Sequence, residues 1–96
     1  MKNGRLPPDM LWKLRNLIPI DQVIENIVYL NARRSKDLLR FQCPLCQNYH
    51  TATDKKTNLA RCFDCRKNFN PIDMAMKALN LEFLDAVELL SKHLTI

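Results

Sequence analysis

The chain has 96 residues, the size of one small domain, and we expect residues 1–96 to form a single one. Its 15 lysines and arginines outnumber its 10 acidic residues, which gives a formal net charge of +5 and favours an anionic partner. No stretch approaches the ~18 apolar residues of a membrane span, and the N-terminal MKNGRLPPDM lacks the apolar core of a signal peptide. Membrane and secreted proteins are thereby disfavoured, and we expect a soluble, cytoplasmic protein.

Two helices are predicted before the first cysteine. Two adjacent prolines suit the first turn of a helix, and apolar residues then recur at helical spacing as far as Leu17. A second helix starts at Ile20 and should end near Val28–Leu30, where β-branched and aromatic residues favour extended chain. Residues 31–37, NARRSKD, are predicted to form a charged turn.

The cysteines are the strongest functional signal. They form two C-x2-C pairs separated by 15 residues, a spacing typical of tetrahedral zinc sites. The predicted metal ligands are Cys43, Cys46, Cys62 and Cys65. Four protein ligands leave no position for a catalytic water, so we expect one structural zinc ion. A four-thiolate iron site would share this geometry, whereas two disulfides would need a secreted context and a thioredoxin-like redox site only one pair.

The segments around the cysteines predict a small β-hairpin. Leu38–Gln42, His50–Thr53 and Leu59–Arg61 are expected to be strands, and residues 54–58 a polar turn. The chain has one glycine, so asparagines at positions 48 and 68 are expected to supply the left-handed conformations that follow the cysteine turns.

The C-terminal third predicts two more helices. Asn70 can cap the first of them, with a proline at its first position and Asp73 in its first turn. The last helix is amphipathic from Phe83 to Leu94. The expected fold class is therefore α+β: a zinc ribbon over about residues 38–70 with two helices on each side.

Taken together, these motifs resemble the N-terminal zinc-binding domain of bacterial DnaG-type primases. That family has Cys-Pro-Phe-His, a hairpin and Cys-Phe-x-Cys; residues 43–46 and 62–65 match, with a cysteine in the place of the histidine. Its Asn-x-Ile-Asp helix start is matched at residues 70–73, and its Leu-x-Phe-x-x-Ala-Val-Glu-x-Leu segment at residues 81–90. The resemblance covers roughly residues 18–92.

The resemblance implies a zinc-dependent DNA-binding module that recognises single-stranded template in DNA replication and primer initiation. The glycines that flank the family's last cysteines are replaced by Asp64, Arg66 and Phe69. The family's polymerase domain with its magnesium-binding centre is absent from these 96 residues, so we expect no primer synthesis by this chain alone. It would act beside a separate primase catalytic subunit or a helicase, or be one domain of a longer primase.

A basic cluster coincides with the predicted ribbon. Between residues 33 and 67 there are nine cations and three anions. This balance is typical of phosphate-backbone binding, although a purely solvated surface would share it. The predicted nucleic-acid-binding residues are Arg33, Arg34, Lys36, Arg40, Lys55, Lys56, Arg61, Arg66 and Lys67, with Tyr49 as a base-stacking side chain.

The remaining aromatic and metal-capable residues have simpler interpretations. Phe41, Phe63 and Phe69 are further candidates for base stacking, but Phe41 and Phe63 are more simply interpreted as core residues that shield the metal. His50 is interpreted as a strand residue, because structural zinc needs no fifth ligand; a place among the four ligands instead of Cys46 is the alternative. Trp12 is expected in the core or, failing that, at a packing site for a partner.

A second class of function stays open at this point. The chain could be a protein-interaction zinc domain whose helices dock a replication or mobile-element partner. An exposed apolar stripe on the first helix would favour that alternative.

Overall fold

The computed structural model describes residues 7–94, in which helices enclose a set of short antiparallel strands. The elements are α1 (Pro8–Asn16), α2 (Ile20–Gln22, continued by the π-helical segment Val23–Ile27), β1 (Ala32–Ser35), β2 (Leu38–Phe41), β3 (Thr51–Asp54), β4 (Leu59–Cys62), β5 (Lys67–Phe69), α3 (Pro71–Leu79) and α4 (Phe83–Ser91). The predicted α+β class, with helices before and after the strands, is confirmed. Residues 1–6 and 95–96 of the predicted single domain lie outside the described residues.

The second helix ends as the sequence predicts. Tyr29 takes a left-handed conformation with φ of 55°. The N–H of Leu30 then reaches back to the carbonyl of Ile24 at 2.9 Å, and that of Val28 to Val23 at 2.9 Å. These bonds satisfy carbonyls at the end of the π-helical segment and turn the chain towards the strands.

The prediction of a turn over residues 31–37 is wrong. Ala32–Ser35 is a strand, β1, and pairs antiparallel with β2, while the reversal is confined to the residues between them, where Lys36 has φ of 54°. All four residues of β1 are exposed. The sequence therefore carries no apolar alternation there, and the strand depends on its hydrogen-bonded partner β2.

The second sheet has the strand order β3-β4-β5, with antiparallel pairs throughout. Buried hydroxyl groups join it to the first sheet. Thr51 Oγ1 accepts a hydrogen bond from the N–H of Phe41 at 2.8 Å and donates one to its carbonyl at 2.7 Å. Thr53 Oγ1 accepts from the N–H of Leu39 at 3.0 Å. These threonines thus satisfy backbone groups of β2 that would otherwise be buried without partners.

One asparagine fastens the tip of the β3–β4 hairpin to the N-terminal helices. Asn58 has φ of 57°. Its Nδ2 donates to the carbonyls of Arg15 at 2.7 Å and Ile18 at 2.9 Å, and its Oδ1 accepts from the N–H of Ile20 at 2.8 Å. The hairpin is therefore fixed relative to the junction of α1 and α2, although some 40 residues separate them in sequence.

The predicted start of α3 is confirmed in detail. Asn70 Oδ1 accepts from the N–H of Asp73 at 2.8 Å, and Asp73 Oδ2 accepts from the N–H of Asn70 at 3.1 Å, which completes a capping box. Asn80 ends the helix in a left-handed conformation with φ of 56°.

The core lies between the helices and the inner faces of both sheets. Its fully buried side chains include Leu14, Ile24, Leu39, Phe41, Met74 and Leu90. Trp12 is not among them: 54% of its surface is exposed, so a core position for this residue is ruled out.

We expect Thr51→Val to lower the free energy of unfolding of the zinc-bound protein by about 1–3 kcal/mol. The substitution keeps the side-chain shape but removes the hydroxyl that bonds both the N–H and the carbonyl of Phe41. Thr57→Val is the matched control, since Thr57 is exposed and its hydroxyl lies 3.5 Å from its acceptor, the carbonyl of Asp54. Its effect should stay within about 0.5 kcal/mol in the same urea titration. Equal losses for the two variants would contradict the bridging role of Thr51.

Candidate metal centre and the surface around it

The four cysteine thiols converge at one end of the strands. Cys43 follows β2 and Cys62 ends β4, and both are fully buried. All four Sγ atoms lie within 4.8 Å of one another. The distance is 3.9 Å from Cys43 to Cys65 and 3.6 Å from Cys46 to Cys62. A disulfide would require about 2.0 Å, whereas sulfurs that lie about 2.3 Å from a tetrahedral zinc ion are roughly 3.8 Å apart. The donor set and its spacing therefore fit one four-coordinate zinc ion.

Each C-x2-C pair sits on a turn that directs backbone N–H groups at a ligand sulfur. The N–H of Leu45 lies 3.3 Å from Cys43 Sγ, and that of Cys65 lies 3.4 Å from Cys62 Sγ. Such donors stabilise thiolates, which are the form that binds metal.

The residue directly after each pair takes the left-handed conformation. Gln47 has φ of 66° and Arg66 has φ of 59°. The prediction that Asn48 and Asn68 would supply these conformations is wrong, since neither has a positive φ. The N–H of Gln47 donates to the carbonyl of Cys43 at 2.8 Å. The turn therefore closes at Gln47, one residue before Asn48. The turn geometry thus outweighs the residue preference at this position.

In the absence of metal, the thiols differ in their acidity. Burial and the neighbouring thiols raise the pKa of Cys65 to about 12, and burial raises the pKa of Cys43. For Cys62 burial acts in the same direction, but the N–H of Cys65 and the adjacent thiols outweigh it and lower the pKa. Zinc binds thiolates, so its binding here displaces protons.

Asp64, inside the second cysteine turn, ties that turn to the segment after the first. Its Oδ1 lies 3.1 Å from His50 Nδ1, and its Oδ2 accepts from Asn48 Nδ2 at 3.1 Å. The bond to His50, followed by that to Asn48, lowers the pKa of Asp64. Sequence reasoning missed this contact, because its members lie 14 to 16 residues apart. The one sequence signal for this contact is Asp64 itself, an acidic residue at a position where the family that the chain resembles has glycine.

The outer face of the β3-β4-β5 sheet forms an open groove. Ala52, Arg61 and Asn68 lie side by side on the three strands. The groove has a volume of about 310 Å³ and also includes Leu59 and Phe63. Arg61 Nη1 donates to Asn68 Oδ1 at 3.2 Å, and the Arg61 guanidinium carbon lies 5.7 Å from the centre of the Phe63 ring. A cation and an aromatic ring are thereby presented together on a flat, accessible surface.

Of the nine predicted phosphate-binding residues, Arg61 lies in the groove, and the other eight divide into two groups. Arg34 forms ion pairs with Asp21 at 2.8 Å and Glu25 at 3.3 Å, and the hydrogen bond to Asp21 is the main cause of its raised pKa. Arg40 donates to the carbonyl of Thr51 at 2.7 Å. Both side chains therefore stabilise the fold in addition to carrying a positive charge. The others that are exposed and form no ion pair within residues 7–94 are Arg33, Lys36, Lys55, Lys56, Arg66 and Lys67.

The aromatic residues near the cysteines are also divided. Phe41 is fully buried, as expected. Phe63 leaves 42% of its surface exposed, so the prediction of a core position for this ring is wrong. Tyr49 is exposed to the same extent, which leaves it available for contact with a ligand.

Comparison with known proteins agrees with this geometry. The model of a protein family described as the CHC2 zinc finger, a zinc ribbon of DnaG type, matches residues 6–96. No curated protein matches the chain. The match and the thiol cluster together identify one zinc ion as the cofactor. None of the helices between residues 7 and 94 has the length and apolar character that crossing a membrane requires.

Zinc removal should disorder the strand region. Without the ion, nothing links the four thiols, whose Sγ atoms lie within 4.8 Å of one another, and a core of this size is marginal by itself. We expect a chelator to collapse the amide chemical-shift dispersion of residues 43–69, and equimolar zinc to restore it. A dispersed spectrum of the metal-free protein with reduced thiols would contradict this.

The role of Cys46 as a zinc ligand can be tested by substitution. Imidazole nitrogen is a good zinc ligand, so we expect Cys46→His to retain about one zinc ion per chain. Cys46→Ala leaves three thiolates, and we expect its zinc affinity to fall by at least about tenfold. Competition with a colorimetric chelator measures both affinities. Equal affinity of Cys46→Ala and the unmodified chain would show that Cys46 is not a ligand.

Proposed function

The chain belongs to the CHC2 zinc-finger family, and on that premise we propose that it recognises single-stranded template DNA during primer initiation in replication. It does so as a zinc-binding module of primase type, without a polymerase centre among its described residues. The observation that carries the proposal is the outer face of the β3-β4-β5 sheet, where Arg61 and Phe63 line an accessible groove.

The shape of this face suits an unpaired strand. Ala52 presents a small side chain on one side of Arg61, and Asn68 on the other side offers hydrogen-bonding groups. Proteins that bind single strands combine a cationic path for the backbone with aromatic surfaces for the bases. The zinc site holds one end of the groove, since Cys62 is the last residue of β4 and Phe63 follows it directly.

The charge arrangement also favours an anionic ligand. Arg33 and Arg40 are directly opposite each other in the β1–β2 pair, and like charges in that position repel. Lys55 and Lys56 lie at the hairpin tip that Asn58 fixes to the helices, so their backbone positions are set before binding. Phosphates between these cations would relieve their repulsion.

The proposed contacts keep all the residues that the sequence suggested, with different weights. The phosphate contacts are assigned to Arg33, Arg34, Lys36, Arg40, Lys55, Lys56, Arg61, Arg66 and Lys67, and Tyr49 is a candidate for base contact. Arg34 contributes least, because Asp21 and Glu25 already neutralise it.

A primase-type module needs a catalytic partner, and we propose a separate primase catalytic subunit or a helicase in that role. The exposed Trp12 on α1 supports a protein contact on the helical side, since its surface is 54% accessible. The same observation favours the second candidate function, a zinc domain that only docks a replication or mobile-element partner. A titration with single-stranded DNA distinguishes the two functions, because only the first function requires DNA binding.

Binding of an oligothymidylate should weaken steeply with salt. Each phosphate contact on a single strand contributes about −0.7 to the slope of log K against log salt concentration. We expect the double variant Lys55→Gln, Lys56→Gln to reduce the slope by about 1.4 in fluorescence anisotropy titrations.

The matched control changes the same number of charges elsewhere. Lys77→Gln with Lys92→Gln removes two exposed lysines from the C-terminal helix region, outside the proposed contacts. Its slope should remain that of the unmodified chain. A salt-independent affinity, or equal slopes for the two double variants, would argue against the proposed surface.

A further inference from the structure

An exposed pair of rings stands beside the metal centre. The rings of His50 and Phe63 have their centres 5.2 Å apart and are tilted by 40°. The guanidinium carbon of Arg61 lies 5.7 Å from the centre of the Phe63 ring. We call His50 and Phe63 the ring pair. None of the three side chains is a metal ligand. The proposed function uses Arg61 and Phe63 as parts of the groove but gives His50 no role and does not place a base on the two rings.

The ring pair is held in place from both sides. Asp64 fixes the His50 ring through Nδ1 at 3.1 Å, and Asn48 holds the other oxygen of that carboxylate at 3.1 Å. The N–H of Phe63 bonds the carbonyl of His50 at 2.9 Å. Phe63 also lies between two cysteines of the metal centre. Stacking of a ligand on these rings would therefore cost the protein little conformational entropy, because both rings are already held in place.

The ring pair is also accessible. Phe63 exposes 42% of its surface, and the His50 side chain exposes 63%. Phe63 stands at one end of the groove of about 310 Å³ that runs along Ala52, Arg61 and Asn68. Tyr49, which the sequence favoured for stacking, is equally exposed at 42% but has no aromatic or cationic partner within the described residues.

We propose that the ring pair is a stacking site for one unpaired nucleobase, with Arg61 directed at the phosphate beside that base. Stacking uses the π-face that every base presents, so the site is tolerant of base identity. The proposal rests on the single-strand binding proposed above and adds to it the place where base contact occurs. It moves that contact from Tyr49 to Phe63 and His50.

The test separates base contact from phosphate contact by using two ligands. One is an oligothymidylate, and the other is an abasic oligonucleotide of the same length with the same number of phosphates. The zinc-bound full chain should bind the first more tightly by roughly 5- to 150-fold, the range that stacking of one base provides. Phe63→Leu keeps an apolar side chain but removes the ring, and it should bring this ratio close to 1. His50→Gln should lower the ratio several-fold.

Phe83→Leu is the matched control, because Phe83 is similarly exposed at 40% but lies on α4, outside the groove that includes Phe63. It should leave the ratio unchanged. Zinc content and the amide spectrum of each variant show whether it is folded, and only folded variants are compared. Tyr49→Leu enters the same series as the competing site.

The outcomes distinguish this inference from the proposed function. If the unmodified chain binds neither oligonucleotide at low salt, single-strand recognition itself is wrong. If it binds both equally well, the chain contacts the backbone but has no stacking site. If folded Phe63→Leu keeps the preference for bases, or if Tyr49→Leu abolishes it in place of Phe63→Leu, the ring pair is not the stacking site.

Discussion

The geometry of four sulfur atoms around one point is the constraint on which the other features of this protein depend. Each pair of sulfurs belongs to a tight turn, and a single zinc ion satisfies both turns at a sulfur–sulfur separation of about 3.8 Å. The turns end β4 and follow β2, so the metal fixes where the two sheets meet. A small domain with a marginal core gains most from such a crosslink. One end of the accessible groove adjoins this site, because Phe63 directly follows Cys62.

Hydrogen bonds from polar side chains stabilise the fold in addition to the metal. Thr51 and Thr53 bind the backbone of β2, and Asn58 binds three backbone groups at the junction of α1 and α2. Each of these contacts satisfies peptide groups that the apolar core cannot satisfy. They also hold the inner face of the β3-β4-β5 sheet against the first sheet. Its outer face is thereby left free for a ligand, and a function in recognition is compatible with a small, rigid scaffold.

The basic residues show why charge alone identifies a surface poorly. Arg34 is neutralised by two carboxylates, and Arg40 is partly committed to a backbone carbonyl. Lys55 and Lys56 are exposed and form no ion pair within residues 7–94. All four contribute equally to the net charge, but they differ in their availability for phosphate. The proposed interface therefore keeps all nine cations of the cluster, but Arg34 and Arg40 are expected to contribute less to phosphate binding than Lys55 and Lys56.

The sequence by itself determined the zinc ligands' spacing, the α+β class, the N-terminal cap of α3 at Asn70 and the family, because each depends on local residue order. It did not reveal β1, whose exposed residues carry no alternation and which forms only by pairing with β2. The exposure of Phe63 and its contact with His50 were decided by the tertiary structure alone. Those two residues flank the β3–β4 hairpin, where Thr51 pairs with Cys62 and the N–H of Phe63 bonds the carbonyl of His50. The register of the folded hairpin therefore brings the two rings into contact.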